Sequence, residues 1–331
     1  MDKLKKKPII IYILVLIILY VFIYVIPSIT GALVRTYTVE YGNLQVVDEA
    51  IGYFVRNEKV YIATSSGKPN MYIKQGTLIR KGTSVMEVTG SEEGEINDKY
   101  QHILSNNRGN YVSDYNYVSQ AEGVVSYYAD GYETLLTADN MSKMTLAKLD
   151  SVTEKNVLKL ERNSCIKGEP VFKIIDNARW YLLCFVDTVN KDRYIVDDEI
   201  TVSFPDDEIR AKVKDIIEQG SKTLIILETN RYYEKFDRLR VADVKLITSD
   251  TNGLIVENTS ITKVGKQQGV YVKNTSNSYE FVPVSVITTD GKYSVVEKSF
   301  YYDSEGNTVT TISTYDEILK APKDHLKLKK E

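Results

Sequence analysis

The feature that most constrains this chain is an uncharged stretch near its N-terminus, from Pro8 to Val34, with a continuously apolar centre from Ile9 to Ile26. A helix rises about 1.5 Å per residue, so roughly 20 such residues cross a bilayer, whereas a soluble helix would need a polar face. A cleaved signal peptide is the alternative, but its apolar region runs only about 7–15 residues before a small-residue cleavage site. We therefore predict an uncleaved transmembrane helix over residues 8–34.

Basic residues immediately before this stretch predict its orientation. They are Lys3, Lys5, Lys6 and Lys7. Because Lys and Arg near a span tend to stay in the cytoplasm, we expect residues 1–7 to form a cytoplasmic basic tail and the rest to be extracytoplasmic. The chain would then be a single-pass protein of the cell membrane. Its formal net charge of −3 argues against a nucleic-acid partner.

Beyond Arg35 the sequence consists of short runs rich in β-branched and aromatic residues, such as RWYLLCFV at 179–186 and YEFVPVSVI at 279–287. Turn signals, in which Gly follows a small polar or acidic residue, separate these runs. This pattern predicts a mainly β protein. The helical patterns beyond the N-terminal stretch are short, and we expect them at Asn97–Leu104, Asn140–Leu149 and Tyr315–Lys320.

One internal repeat relates Leu78–Val88, LIRKGTSVMEV, to Ser164–Ile174, SCIKGEPVFKI. Five positions agree in character: Ile79 with Cys165, Lys81 with Lys167, Gly82 with Gly168, Val85 with Val171, and Val88 with Ile174. Each copy predicts a strand, a tight Lys-Gly turn and a second strand, because Gly adopts positive φ without steric cost. Each copy also follows a Gly-led strand, at Gly52 and Gly123. We expect the two half-motifs to close around one core.

A wider set of segments shares the order of a known family. It comprises the N-terminal anchor, Glu40–Tyr61, YIKQGTLIRKGTSVMEV with Gly76 and Gly82, AEGVVSYYADGYE around Gly123, KGEPVFKIIDNARWYLLCFVD around Gly168 and Trp180, and Asn252–Val272. In these segments the chain resembles the HlyD-type membrane fusion proteins, the extracytoplasmic adaptor subunits of efflux and secretion systems, in their Gram-positive form. The resemblance implies a non-catalytic protein.

The resemblance also implies an N-terminal transmembrane helix followed by a split barrel-sandwich (lipoyl-like) domain, a β-barrel domain and a membrane-proximal β domain. The expected boundaries are the first strand or strands of the membrane-proximal or barrel region at 35–50, barrel-sandwich halves at 51–90 and 121–178, a short insert at 91–120, the β-barrel at 179–250, the membrane-proximal domain at 251–315, and a helix end with a basic tail at 316–331. The long α-hairpin of the family does not fit the insert. The expected structural determinants of the split domain are Gly52, Gly76, Gly82, Gly123 and Gly168.

Residues that could carry chemistry are few. The only His residues, His102 and His325, lie in polar or basic surroundings, and the sequence has no G-x-S-x-G, P-loop or G-x-G-x-x-G motif. We interpret Cys165 and Cys184 as buried small apolar residues, and a disulfide between them is the alternative hypothesis. We predict no catalytic, cofactor-binding or metal-binding residues and no enzyme activity.

We interpret two further groups of charged residues as parts of solvated turns. Lys81 and Lys167 lack the flanking pattern of a carrier domain, so neither lipoate nor biotin is expected. The acidic runs lack the alternating ligand pattern of a calcium loop. They are Asp197–Glu199, Asp206–Glu208 and Asp303–Glu305.

Together these features predict a membrane-anchored adaptor that docks on a plasma-membrane transporter, of the ABC type or another permease, and forms a homo-oligomer. The alternative is a single-pass extracytoplasmic scaffold of the cell-envelope or division machinery, which the missing hairpin would suit. A surface enzyme is disfavoured because no suitable set of Cys, His, Arg, Ser and Lys residues stands out.

Overall fold

A computed structural model describes residues 6–25, 35–276 and 278–322. Its longest helix, α1 (Lys6–Tyr20), continues into a π-helical segment, Val21–Val25. No helix among the described residues combines the length and the apolar character needed to cross a bilayer. Residues 26–34 of the expected span, residues 1–5 of the basic tail and residues 323–331 lie outside the described residues, and the transmembrane helix stays a prediction.

The rest of the described chain is mainly β, as the sequence predicts. The strands of the first half are β1 (Thr36–Thr38), β2 (Glu40–Val55), β3 (Glu58–Ile62), β4 (Lys68–Met71), β5 (Leu78–Ile79), β6 (Met86–Thr89), β7 (Tyr111–Val112), β8 (Gly123–Ser126), β9 (Tyr128–Ala129), β10 (Leu158–Lys159) and β11 (Pro170–Ile175). Those of the second half are β12 (Trp180–Asp187), β13 (Glu199–Ser203), β14 (Glu208–Gln219), β15 (Lys222–Thr229), β16 (Val241–Glu257), β17 (Thr262–Val264), β18 (Gln267–Lys273), β19 (Tyr279–Pro283), β20 (Val286–Thr289), β21 (Tyr293–Val296), β22 (Phe300–Tyr302), β23 (Thr308–Thr310) and β24 (Glu317–Leu319).

Two short helices lie where the sequence predicts them. Residues Asp98–Tyr100 form a 3-10 turn that leads into α2 (Gln101–Asn106), and the Asn97 side chain caps the turn by accepting a hydrogen bond from the Lys99 amide at 3.1 Å. The second prediction, Asn140–Leu149, corresponds to a 3-10 turn at Met141–Lys143 and α3 (Leu146–Leu149).

The chain forms two compact units, Val47–Thr248 (the large unit) and Met1–Val46 with Ser249–Glu331 (the small unit). In the large unit, β5, β8, β11, β3 and β7 form one sheet, in which β11 pairs antiparallel with both β8 and β3. This sheet, the two-stranded sheet of β4 and β6, and α2 enclose an apolar core. They form the barrel-sandwich part of the large unit.

The other part of the large unit is a β-barrel. Strands β13, β14, β15, β12, β2 and β16 follow one another, and β13 also pairs with β16, with Thr201 opposite Ile247, which closes the barrel. Alternate residues of β12 enter two different cores: Leu182 and Cys184 belong to one cluster, whereas Leu183 and Phe185 pack with residues of the segment 132–152. Both faces of β12 are thus buried, which explains its continuous apolar run.

The small unit has its own sheets and core. Strands β1, β24, β18 and β17 lie in order, β19 pairs with β18, and β20 and β16 flank β21. Val39, Val256, Val270 and Ile318 contribute to the apolar cluster that these strands enclose.

The predicted helix at Tyr315–Lys320 is wrong, because residues 317–319 form β24. This strand pairs with β1, with Thr36 opposite Leu319, and Ile318 is fully buried in the small unit. Alternating contacts on the two faces of a strand decide the conformation of this short segment, which has too few residues for a stable isolated helix. The expected helix end within 316–331 is therefore a strand.

Candidate functional site

The two strand-turn-strand segments of the repeat, which we call the Lys-Gly hairpins, lie in one core, as the sequence predicts. The strands on either side of each turn pair with other strands and not with each other. Ile79 and Cys165 belong to the same apolar cluster, and so do Val85 and Val171. The turns of both hairpins have glycine in the left-handed region, with φ of +90° at Gly82 and +93° at Gly168. The two half-motifs are distant in sequence and build a single nucleus.

The segments between the halves help to build this nucleus. Residues 91–120, expected as a short insert, contain α2 and β7, and β7 pairs in parallel with β3 through Val60 and Tyr111. Tyr100, Ile103 and Tyr117 are buried in the same core. Since its side chains complete the core, the insert is an integral part of the fold.

The remaining glycines named from the sequence have different roles. At Gly123 a Cβ would lie 2.4 Å from the Ile175 carbonyl oxygen, so the close approach of β8 and β11 requires glycine. Gly76 lies in a turn, and its backbone amide donates a hydrogen bond to the Val125 carbonyl oxygen at 2.9 Å. Gly52, by contrast, lies opposite Cys184 in the barrel. Residues 51–55 therefore belong to the barrel and not to the first barrel-sandwich half, because β2 finds its sheet partner in β12.

A buried charge cluster lies where the chain passes from the barrel strand β2 to the barrel-sandwich strand β3. Its members, all nearly inaccessible to solvent, are Arg56, Glu58, Asp130, Glu133, Lys173 and Arg240. Glu58 is central: its Oε1 lies 3.0 Å from Arg56 Nε and 3.0 Å from Lys173 Nζ, and its Oε2 lies 2.6 Å from Arg240 Nη2. We call this group the charge cluster.

The second half of the charge cluster is built around Arg240. Its Nε lies 2.7 Å from Asp130 Oδ2, and its Nη1 donates to the Phe54 carbonyl oxygen at 3.2 Å. Lys173 Nζ also lies 3.5 Å from Glu133 Oε1. Three cationic and three acidic side chains therefore balance in a buried interior, where each charge needs an opposite partner.

Electrostatics in the charge cluster favour the ionised forms of its acids. Burial alone would raise the pKa of the Glu58 carboxyl, but the charges of Arg240 and Arg56 outweigh burial and hold this pKa well below its usual range. Arg240 likewise holds the pKa of Asp130 below its ordinary value against the opposing effect of burial. Such fixed, inaccessible ion pairs suit structural coupling and offer no group to a substrate.

Arg56 is the least satisfied member of the charge cluster. Its Nη1 and Nη2 form no hydrogen bond with the described residues, and its guanidinium carbon lies 5.8 Å from the centre of the Phe54 ring. Burial lowers the pKa of Arg56, while the Glu58 charge acts in the opposite direction. The ion pair with Glu58 is thus the main compensation for burying this cation.

A second contact joins the barrel-sandwich part to the barrel. The Ser126 hydroxyl of β8 donates to the Asp237 carbonyl oxygen at 2.9 Å, and the Gln75 amide donates to the Asp237 carboxylate. The Gln75 side-chain oxygen in turn accepts from the Tyr127 amide at 2.6 Å. Loops of the first half-motif are therefore fixed to the loop before β16.

The chemistry-bearing residues named from the sequence lie apart from one another. Cys165 and Cys184 are free buried thiols, and burial raises the pKa of Cys184 to about 12, which makes it a poor nucleophile. The His102 ring packs edge-on against Tyr132, with centroids 5.7 Å apart, and His325 lies outside the described residues. No group of three or more His, Cys, Asp and Glu residues in the described part of the chain is arranged to hold a metal ion.

The charged turns named from the sequence lie at the surface. Lys81 and Lys167 are both exposed. Asp197 pairs with Lys212 at 2.7 Å, and the Asp303 carboxylate closes its own turn by accepting from the Glu305 amide at 2.9 Å.

Sequence reasoning missed the charge cluster. Its members are spread from residue 56 to residue 240, so no local sequence motif indicates that they lie together. The available signal was a charged residue inside an apolar strand pattern, as with Lys173 in VFKII and Glu58 in NEKVYI. A long charged side chain at such a position must find a buried partner or leave the strand.

Comparison with known protein families assigns both parts of the large unit. Residues 58–176 match the family described as "RND related, barrel-sandwich hybrid domain", and residues 180–250 match "RND related, beta-barrel domain". The large unit therefore contains a barrel-sandwich hybrid domain and a β-barrel domain of the RND-related type. The predicted relationship to membrane fusion proteins is confirmed.

Solved structures give more distant likenesses. MacA from Actinobacillus actinomycetemcomitans is 11% identical, with 87% of this chain and 99% of that chain covered and a TM-score of 0.38. The membrane fusion protein Spr0693 from Streptococcus pneumoniae R6 is 13% identical, with 62% and 98% covered and a TM-score of 0.29. No curated protein sequence matches the chain. The domain assignment rests on the two family matches.

Proposed function

We propose that this protein is a non-catalytic, membrane-anchored adaptor of an efflux or secretion complex. The observation that carries the proposal is the pair of family-matched domains, barrel-sandwich then β-barrel, in one compact unit. The charge cluster supports it, because a buried ion network that spans both domains holds their surfaces at a fixed spacing. An adaptor needs such spacing to meet its neighbours in register.

The proposed anchor is the N-terminal apolar segment. Its support is the uncharged run over residues 8–34 and the lysines that precede it. The apolar side chains from Ile11 to Ile23 are exposed in this chain by itself, as expected of a surface that lies in lipid. The chain from residue 35 onward would then be extracytoplasmic.

Cysteine labelling tests this topology. The native Cys165 and Cys184 are buried, so an exposed engineered cysteine should dominate the signal. In intact cells without an outer barrier, a membrane-impermeant maleimide should label Lys167→Cys and spare Lys3→Cys until the membrane is opened. Labelling of Lys3→Cys alone in intact cells would contradict the proposed orientation.

The proposed partner is a polytopic plasma-membrane transporter, of the ABC type or another permease, bound by several copies of this chain. In-cell crosslinking of the full chain, followed by detergent extraction and mass spectrometry, tests the partner. Specific recovery of a polytopic transporter is the expected result. Repeated recovery of division or envelope-assembly proteins without a transporter would contradict the adaptor function and support the scaffold alternative.

A matched pair of variants sharpens this experiment. Glu58→Gln breaks the charge cluster, whereas Glu161→Gln breaks the exposed pair with Lys159, whose atoms lie 2.7 Å apart. Recovery of the transporter should fall for the first variant and persist for the second. Equal recovery with both variants would show that fixed domain spacing is not required for docking.

A further inference from the structure

A cleft of about 810 Å³ opens in the large unit, beside α3. Its walls are mainly apolar and include Ile51, Tyr53, Leu146, Phe185 and Val244. The volume falls within the roughly 300–1,000 Å³ of sites that bind small molecules. Tyr53 and Phe185 are also part of a packed core.

The rim of the cleft is acidic. The carboxylates of Glu49, Asp150 and Asp243 line it, and none of them has a hydrogen bond or ion pair with a side chain of the described residues. Of the two lysines at the rim, Lys222 is paired with Asp187 at 2.8 Å, which leaves Lys245. The unpaired charge is therefore predominantly negative, so the cleft attracts cations and repels anions.

Tyr53 adds an independent observation. Its side chain is only 4% exposed and lines the cleft, yet its hydroxyl has no hydrogen bond with any described residue. Burial, and after it the negative charge of Asp150, raises the pKa of Tyr53, so the phenol remains neutral at physiological pH. The hydroxyl of a largely buried side chain that lines a cleft, without a hydrogen-bond partner among the described residues, is a group that a ligand can satisfy.

We infer that this cleft binds an organic cation of small-molecule size. The apolar body of the ligand lies against Ile51 and Phe185, and its ammonium group meets the carboxylates of Asp150 and Asp243 and the Tyr53 hydroxyl. Burial of the apolar body supplies affinity, while the unpaired carboxylates select the charge. The inference rests on the geometry of the cleft and does not depend on the proposed adaptor function.

Photocrosslinking of the full chain tests this inference. The probe is protonated 4-(aminomethyl)benzophenone, and 4-benzoylbenzoate serves as an anionic control of similar size. Mass spectrometry of the digested protein identifies the labelled peptides, so probe that merely dissolves in detergent gives no site-specific signal. The cation should label peptides that contain residues 49–53, 146–150 or 243–245 in a saturable manner, and the anion should not.

Two matched double variants complete the test. Asp150→Asn with Asp243→Asn should raise the half-saturating concentration of the cation at least about tenfold, since even one charge-assisted contact contributes roughly that factor. Asp198→Asn with Glu234→Gln removes two exposed carboxylates that do not line the cleft and should leave labelling unchanged. Equal labelling by cation and anion, labelling without saturation, or no response to the first double variant would overturn the inference.

Discussion

The two Lys-Gly hairpins of the large unit begin alike and end in different surroundings. The strand after the first turn, β6, pairs with β4 alone and has alternating burial. The strand after the second turn, β11, lies between β3 and β8, and all six of its residues are buried. The same local motif therefore supplies a peripheral ribbon in one place and the centre of a sheet in the other. Position in the sheet, rather than turn chemistry, decides how much each hairpin contributes to stability.

The charge cluster adds to this difference, because it includes Lys173 of β11. Lys173 forms an ion pair with Glu58, which is also paired with Arg240. We expect Glu58→Gln to lower the free energy of unfolding by about 3–5 kcal/mol, since it leaves buried cations without their carboxylate. Urea unfolding measures this loss. Glu161→Gln, at the exposed pair with Lys159, is the control and should cost less than about 1 kcal/mol. Similar losses for both variants would mean that the cluster does not stabilise the fold.

Low pH should weaken the ion pairs of the charge cluster. The pKa values of Glu58 and Asp130 are lowered in the folded protein, so their stabilising contribution is complete above the unfolded values, near pH 4–4.5. It is lost as the pH falls from there toward the folded pKa values. Urea midpoints measured from pH 7 to pH 3 should therefore decline at the acid end, and less steeply for Glu58→Gln. Parallel declines in the two proteins would contradict this assignment.

The two turn glycines offer a direct test of the comparison. Valine at either position is strained by about 1–3 kcal/mol, because φ is positive at both. At residue 168 a Cβ would also lie 3.1 Å from Ile96, whereas at residue 82 no described atom lies within 4 Å. Gly168→Val should therefore lower the melting temperature more than Gly82→Val. The reverse order would show that the second hairpin is not the more constrained one.

We expect the smallest effect on stability from substituting the lysines next to the two turn glycines. Lys81 and Lys167 are exposed, and their side chains form no hydrogen bond or ion pair with the described residues. Alanine at either position should change the free energy of unfolding by no more than about 0.5 kcal/mol. Thermal unfolding of both variants measures this. A loss above 1 kcal/mol at Lys167 alone would reveal a side-chain role that the structure does not show.

The Lys-Gly turns could be predicted from sequence because their information is local, whereas the partners of the flanking strands could not, because those partners lie elsewhere in the chain. A Lys-Gly turn between apolar runs specifies a strand, a left-handed turn and another strand, and the repeat shows that it occurs twice. The prediction at Tyr315–Lys320 was wrong for the opposite reason. Whether that short apolar segment is helix or strand depends on β1, which lies far away in sequence.

Gly52 and the charge cluster also could not be assigned from sequence, because their partners lie far away in the chain. IGYFV and EGVVS look equivalent as Gly-led strands, yet the first pairs with β12 in the barrel and the second with β11 in the barrel-sandwich part. The partners of Glu58 likewise come from three separate parts of the chain. Pairing over such distances depends on tertiary packing, which a single sequence does not display.

The central claim is that the barrel-sandwich part and the barrel form one cooperative body held by the charge cluster. Trp180, the only tryptophan in the chain, is stacked on Phe54 in the barrel core, with ring centroids 5.4 Å apart, so its fluorescence reports unfolding of the barrel. Hydrogen exchange of β3 and β11 peptides reports unfolding of the barrel-sandwich part. Measured together across a urea titration, the two signals should change at the same midpoint in the unmodified protein. Two separate midpoints in that protein would contradict the claim.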